Sequence, residues 1–298
     1  MSASGRSRAR EDGFVLPAVL AIMIVVSAAA LIATDRHRAR MNVAESQGRA
    51  LRLQGLADGL ARLVAAGFLM ERMRGVPGLG LPPNGSVWAC ALPDNRRVAV
   101  AVQDHAGLID LNAAPRALLE TTFRVLGIAD ADAATLAAEV VDYRDPDDTP
   151  EPNGGAERRQ YAARGLAYGP RNAPFSSVDE IERLPSMTRE QADRLRGALT
   201  IHNPGGGIDP NVTPMRALIG SVAGDGLRAH IARSSGRSVE VRTMVSDGGG
   251  RAARSVMVSA GGPGTGPQVL SWQPEGPDVP GGLPHPACAT IAAILAPP

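Results

Sequence analysis

The densest concentration of groups able to do chemistry is one short acidic stretch. It reads Asp142-Tyr143-Arg144-Asp145-Pro146-Asp147-Asp148-Thr149-Pro150-Glu151, followed by Asn153-Gly154-Gly155-Ala156-Glu157. Proline and glycine keep such a run out of regular helix, so it reads as a loop. Several carboxylates in one loop suit a hard divalent cation, and calcium accepts about six to eight oxygen ligands. The candidate ligands are Asp145, Asp147, Asp148, Glu151 and Glu157. The spacing is not that of an EF-hand loop, and a solvated acidic loop is the competing reading. Left unpaired, these carboxylates would repel one another, which argues for calcium among them.

Other chemistry finds little support. There is no G-x-S-x-G elbow, no H-E-x-x-H and no phosphate-binding P-loop. The five histidines, His37, His105, His202, His230 and His285, are scattered. The expectation is therefore no enzyme and no catalytic residue. The two cysteines, Cys90 and Cys288, form no CxxC pair and no Cys/His cluster. In an oxidising compartment they are a candidate disulfide; two buried free thiols are the alternative.

The acidic loop lies within a helical block. From Gly107 to about Pro204 the sequence is rich in short helices with apolar spacing, in the segments Gly107–Ile128, Ala131–Asp145 and Phe175–Asn203. Ser177 and Glu180 have capping-box spacing, and Thr188 is placed to cap a helix running through Leu195. Ile109-Asp110-Leu111-Asn112-Ala113-Ala114-Pro115 is echoed by Ile208-Asp209-Pro210-Asn211-Val212-Thr213-Pro214. Such openings resemble helix-hairpin-helix units, whose DNA-binding members present hairpin amides to phosphate. The corresponding hairpins are Leu126-Gly127-Ile128 and Leu184-Pro185-Ser186-Met187. The second lacks glycine and neither sits in a basic run, so no nucleic acid is expected.

Strand signals flank the block. Val87–Leu92 and Arg97–Gln103 are joined by Pro93-Asp94-Asn95, a hairpin signal, and Val98, Val100 and Val102 alternate with alanine. After Gly220 the signal returns in Ser238–Ser246, Arg254–Ala260 and Gln268–Trp272. Strands before and after a helical block predict one antiparallel sheet with the block as an insertion.

Residues Phe14–Ala33, FVLPAVLAIMIVVSAAALIA, hold no charge and one hydroxyl, Ser27. As helix they reach about 30 Å, the thickness of a bilayer's hydrocarbon core. From Thr34 to about Arg74 the helix is predicted to continue, one-faced through Leu53, Leu56, Leu60, Leu63 and Val64. Residues 1–13 are polar, with three arginines and two acids; removing them leaves bases and acids equal in number. Lysine is absent. A neutral chain is a poor non-specific nucleic-acid binder. A basic leader, Gly13, Phe14 and an apolar helix resemble a type IV prepilin-like N-terminus. That resemblance implies cleavage between Gly13 and Phe14, methylation of Phe14, and a helix that first anchors the chain and later packs in a filament. A signal peptide cut after Ala28–Ala30 and an ordinary single-pass anchor are the other readings. The Glu usual at the fifth mature position is Ala18 here, so this chain has no carboxylate to offer a subunit ahead of it.

Together, GFVLPAVLAIMIVV without that Glu, DHAGLIDLNAAP, DYRDPDD with GGAERRQY, YGPRNAPFSSVDEIERLPSMT and GIDPNVTP resemble the general secretion pathway protein K family, minor pseudopilins of type II secretion. The resemblance covers residues 13 to about 215. It implies an α+β fold: a pilin-like long N-terminal helix packed on an antiparallel sheet, with a large all-α helix-hairpin-helix or SAM-like domain inserted between the strands. The expected divisions are a leader at 1–13, a transmembrane and filament-core helix at 14–33, the pilin helix and first strands at 34–106, the inserted domain at 107–215, and C-terminal strands completing the sheet at 216–298. The implied role is a subunit at the pseudopilus tip, with I- and J-type minor pseudopilins as partners and calcium in the helical domain. Prepilin peptidase and the bacterial inner membrane would be further partners, with the C-terminal bulk in the periplasm. The implied action is to help start pseudopilus assembly and the export of folded proteins. A membrane-anchored, competence-like helix-hairpin-helix DNA-binding protein, or an anchored hydrolase using the acidic loop, are the alternatives from other classes.

Overall fold

The computed structural model describes residues 15–92, 94–215, 225–261, 265–276 and 282–296. Gly13 and Phe14, the expected cleavage pair, lie outside the described residues. The chain divides into two compact units, Met1–Arg52 and Leu53–Pro298.

Helix α1, Val15–Arg74, is continuous. Pro17 falls in its first turn, where a missing N–H removes no helical hydrogen bond. In the first unit the apolar side chains face outward: Leu16, Ile24 and Leu31 are each about two-thirds exposed or more, at 71%, 68% and 67%. None of this apolar stretch is buried, and it lies in the one helix among the described residues long and apolar enough to cross a membrane.

In the second unit the rest of α1 lies on a five-stranded antiparallel sheet. Its buried stripe is Leu53, Ala57, Leu60, Ala61, Val64 and Ala65. Leu63, expected on that stripe, falls on the outer side, because the 3.6-residue period gives the inner positions to the alanines. Those alanines let strand and helix approach closely: Thr243 Oγ1 donates to the Ala57 carbonyl at 3.1 Å. The helix ends where Gly75 turns left-handed (φ 65°) and its N–H closes on Glu71 O at 3.0 Å.

The sheet comprises β1 (Asn84–Ala91), β2 (Arg97–Asp104), β5 (Ser238–Asp247), β6 (Gly250–Ser259) and β7 (Gln268–Gln273), in that spatial order. Val98, Val100, Val102, Val239, Val241, Val245, Val256 and Val258 face the α1 stripe and form one core with it. Alternation places these valines on one face. A helix absent from the sequence reading, α6 (Ala287–Leu295), closes the chain. It adds Ala287 and Ile291 to this core, so the C-terminal 216–298 segment is not strands alone. Its helix-forming run ACATIAAIL stands just after Pro286, and the surrounding glycines and prolines hid it. Cys288 on α6 is joined to Cys90 on β1, with Cα atoms 5.3 Å apart.

The insertion leaves from Asp104 and returns at Ser238. Asp104 and Val239 are register partners, so both crossings are at one end of the sheet. The block contains β3 (Ile109–Asp110), α2 (Arg116–Val125), α3 (Asp130–Arg144), α4 (Arg158–Ala163), α5 (Arg189–Arg196) and β4 (Leu199–Thr200). Its core gathers Ile109, Leu118, Phe123, Leu136, Tyr143, Phe175, Ile181 and Leu195. A stretch expected to be nearly free of strand holds one short parallel pair, β3 with β4. The block also runs on beyond residue 215. Leu227 belongs to its core, and Ile208 bridges Ile231. The second Ile-Asp-x-Asn-x-x-Pro segment therefore lies within the block instead of closing it.

A polar junction ties block to sheet. Asp104, 1% exposed, accepts from the Ala106 N–H and from the Ser234 hydroxyl. Gln103 Nε2 donates to Val212 O at 3.0 Å. Gly107 lies so close to this segment that a Cβ there would sit 2.3 Å from Val212 O.

Candidate metal centre

The acidic loop is held by a carboxylate that is not itself among the expected ligands. Asp142, in the last turn of α3 and fully buried, accepts from the Glu151 N–H at 2.9 Å. This bond folds the loop back on the helix that precedes it. Gly155 fits against the same carboxylate; a Cβ there would lie 2.4 Å from Asp142 Oδ2. Pro146 stops α3, since the residue before a proline avoids helical geometry, and Asp145 is extended (φ −83°, ψ 159°). Glu157 begins α4, where its N–H meets Gln160 Oε1 at 3.1 Å.

Asp145, Asp147 and Glu157 each offer one oxygen, and these oxygens lie within 4.8 Å of one another. The other two expected ligands do not join this set. Glu151 Oε2 is paired with Arg116 at 2.9 Å. Asp148 Oδ1 lies 3.5 Å from Asn172 Nδ2. An arginine 35 residues earlier in the chain supplied a partner that the sequence could not place.

Burial makes the set unusual. Glu157 is 3% exposed, and neither of its carboxylate oxygens has a hydrogen-bond partner. Asp145 Oδ1 is likewise buried and unpartnered. So is Asn172 Oδ1, although Asn172 Nδ2 donates to the Asp147 carbonyl at 3.1 Å. Asn172 was missed in the sequence because it lies 15 residues beyond Glu157 in an unremarkable loop. Buried polar atoms almost always find a partner, and buried carboxylates without one are costly. Burial, and then the charges of Asp142 and Asp145, push the Glu157 carboxyl up to about 7. Burial pushes Asp142 up to about 6, against the hydrogen bonds it accepts from Glu151 and Ala156. Asp145 is also raised, by burial and by Asp147 and Glu151.

A hard dication among Asp145, Asp147 and Glu157 would satisfy the orphaned carboxylate oxygens. The donors are oxygens only, which suits calcium or magnesium and not zinc. The orphaned oxygens of Glu157, Asp145 and Asn172 fit such an ion. Asp145, Asp147 and Glu157 would hold it, and it would supply charge neutralisation and a cross-link between the ends of α3 and α4.

Among the described residues the histidines build no comparable site. His105 Nδ1 is 2.6 Å from Thr200 Oγ1, and its ring meets His202 at 5.7 Å between centroids. Burial, then His202 and Arg242, hold His105 down at about 3, so it stays neutral. The expected capping box at Ser177 also resolves differently. Ser177 caps Asp179, while Glu180 turns inward to Tyr143 Oη at 2.9 Å and Arg171 at 3.0 Å.

A long N-terminal helix, half of it apolar and exposed, with its other half on an antiparallel sheet, is a pilin-like fold, here carrying a large helical insertion. Residues 100–204 match the family described as Type II secretion system (T2SS), protein K. The chain is similar in structure to one in the GspK-GspI-GspJ complex of the enterotoxigenic Escherichia coli type 2 secretion system. The TM-score is 0.54 at 17% identity, covering 78% of this chain and 98% of that one. No curated protein sequence matches. The likeness to protein K of the type II secretion system thus lies in residues 100–204, and the similarity to the solved chain shows a shared fold.

Proposed function

We propose that this protein is a minor pseudopilin that stands at the pseudopilus tip, where it helps initiate filament assembly and the export of folded proteins across the outer membrane. The observation that carries the reading is the union of two parts in one chain. One is a half-helix whose described large apolar side chains are exposed. The other is a pilin-like sheet with a bulky insertion at one end. Exposed apolar surface of that extent needs lipid or neighbouring helices around it. In this reading the span from Phe14 to Ala33 crosses the inner membrane once, and the bulk lies in the periplasm. Prepilin peptidase cuts between Gly13 and Phe14, and Phe14 is methylated.

The partners are I- and J-type minor pseudopilins, the kind of assembly named for the similar solved complex. Ala18 in place of an acid fits a subunit with none ahead of it. Calcium bound by Asp145, Asp147 and Glu157 stiffens the inserted domain. Both cysteines would be exported past the membrane, where a Cys90–Cys288 bond is stable.

The helix-hairpin-helix reading finds no support at the hairpins. The amides of Leu126, Gly127 and Ile128 are bonded to Thr122, Arg124 and Phe123 carbonyls. Ser186 N–H is taken by Glu139 and Met187 N–H by Leu184 O. No free amide of these faces outward for a phosphate. The test is deletion of the gene and complementation. Secretion and pseudopilus initiation should fall together and return with the wild-type chain. N-terminal sequencing of the mature protein should begin at Phe14; a start beyond Ala30 would overturn the reading.

A further inference from the structure

Arginines form a collar on α1 just beyond its apolar run. Arg36, His37, Arg38 and Arg40 are all exposed, and Asp35 is the one acid on α1 before Glu45. At about 100° per residue, Arg36 and Arg40 lie one turn apart on one side, His37 a quarter-turn round, and Arg38 across the axis. The charges therefore surround the helix within about 6 Å of its length. Thr34, just below them, closes its hydroxyl on Ala30 O at 2.7 Å and asks nothing of its surroundings. Among the described residues, Arg36, Arg38 and Arg40 have no carboxylate partner.

We infer that this collar binds the anionic headgroups of phospholipids in the leaflet from which the apolar span emerges. The inference rests on the proposed membrane span. Charge complementarity and continuity with the span carry it. A guanidinium presents a planar fork of donors matched to phosphate. Long basic side chains at a helix exit reach headgroups while their stems stay on apolar surface. Each basic residue near an anionic surface favours binding by about fivefold.

The collar also makes movement of the helix one-way. Before processing, the leader's Arg6, Arg8 and Arg10 precede the span in the sequence and the collar's three arginines follow it. Basic residues beside a span resist being drawn through hydrocarbon. Cleavage after Gly13 removes the inner three and leaves the outer three. Rising out of the bilayer then drags only the terminal amine through hydrocarbon. Sinking back drags three guanidinium groups, which hydrocarbon strongly disfavours.

The test places the full-length mature chain in nanodiscs of equal phosphatidylcholine and phosphatidylglycerol, and counts by native mass spectrometry the lipids retained on release. The wild type is expected to keep phosphatidylglycerol in several-fold excess. Combining Arg36→Gln, Arg38→Gln and Arg40→Gln should bring the ratio near unity, and the three Arg→Lys changes should keep most of the excess. Equal retention by the wild type, as when the collar serves an acidic neighbouring subunit, overturns the inference. So does an excess that survives the glutamine changes. A chain that never enters the nanodisc overturns the membrane span and the collar together, whereas insertion without lipid preference overturns the collar alone.

Discussion

The two cores of the second unit treat charge in opposite ways. Between α1 and the sheet, the buried side chains are mostly Val, Leu and Ala with the neutral Thr243 and Ser255, and the one buried carboxylate among the sheet's described strands, Asp104, stands at the junction with the block. The inserted block buries carboxylates: Asp110, Glu139, Asp142, Glu157 and Glu180 are each at most 9% exposed. Most of these are answered from within the chain. Asp110 accepts the amides of Asn112, Ala113 and Asn203. Glu139 accepts from Ser186 and Arg164. Glu180 would be raised by burial, but Ser176, Tyr143 and Arg171 outweigh that and hold it at about 2. Glu157 alone of the five has no partner for either oxygen. The contrast teaches that the sheet core is stable on its own terms, whereas the block's stability depends on solution conditions at one corner.

The largest effects test whether the two cores are independent. Phe123→Ala in the block is expected to cost about 3–5 kcal/mol, and Leu60→Ala under the sheet about 2–5 kcal/mol. Calorimetry should show each lowering mainly its own transition; a single shared transition would break the comparison. Calcium comes next. At a hundredfold excess over its dissociation constant it should stabilise the block by about 2.7 kcal/mol, read as a rise in the block's transition with the sheet's unmoved. Glu157→Gln should abolish that rise. A rise of the same size in the variant would remove Glu157 from the site.

Smaller effects follow from pH, and their signs differ within one domain. The Glu157 carboxyl is raised from 4.5 to about 7, so the folded metal-free chain binds this proton more tightly than the unfolded one. Its contribution is fully present below about pH 4.5 and is lost as pH rises through about 7. Glu180 is depressed from 4.5 to about 2, so its contribution is present above 4.5 and is lost as pH falls through about 2. Denaturant titrations with chelator should show Glu157→Gln flattening the first slope and Glu180→Gln the second. Leu63→Ala, on the outer side of α1, is expected to change stability least, by about 0.5 kcal/mol or less.

Much of the architecture was legible because it rests on local periodicity. The alternating valines of β2 and β5 and the apolar stripe of α1 follow from side-chain directions along a single element. The long apolar run, the hairpins and the start of the insertion needed no distant partner. Where the insertion ends did need one: Leu227 and Ile231 join the block through contacts with residues far back in the chain. α6 went unseen because its helix signal is brief and lies in a tail of glycine and proline.

By itself, then, the amino-acid order determined the elements, the apolar span and the loop in which acids crowd together, since hydropathy and period act over a few neighbouring residues. Tertiary structure alone decided which acids share a site. Glu151 is withdrawn by Arg116, Asp142 becomes the strut of the loop, and Asn172 is brought in from another segment. The reason is physical. A carboxylate's role depends on the partners and the water left around it after folding, and neither is written in its near neighbours.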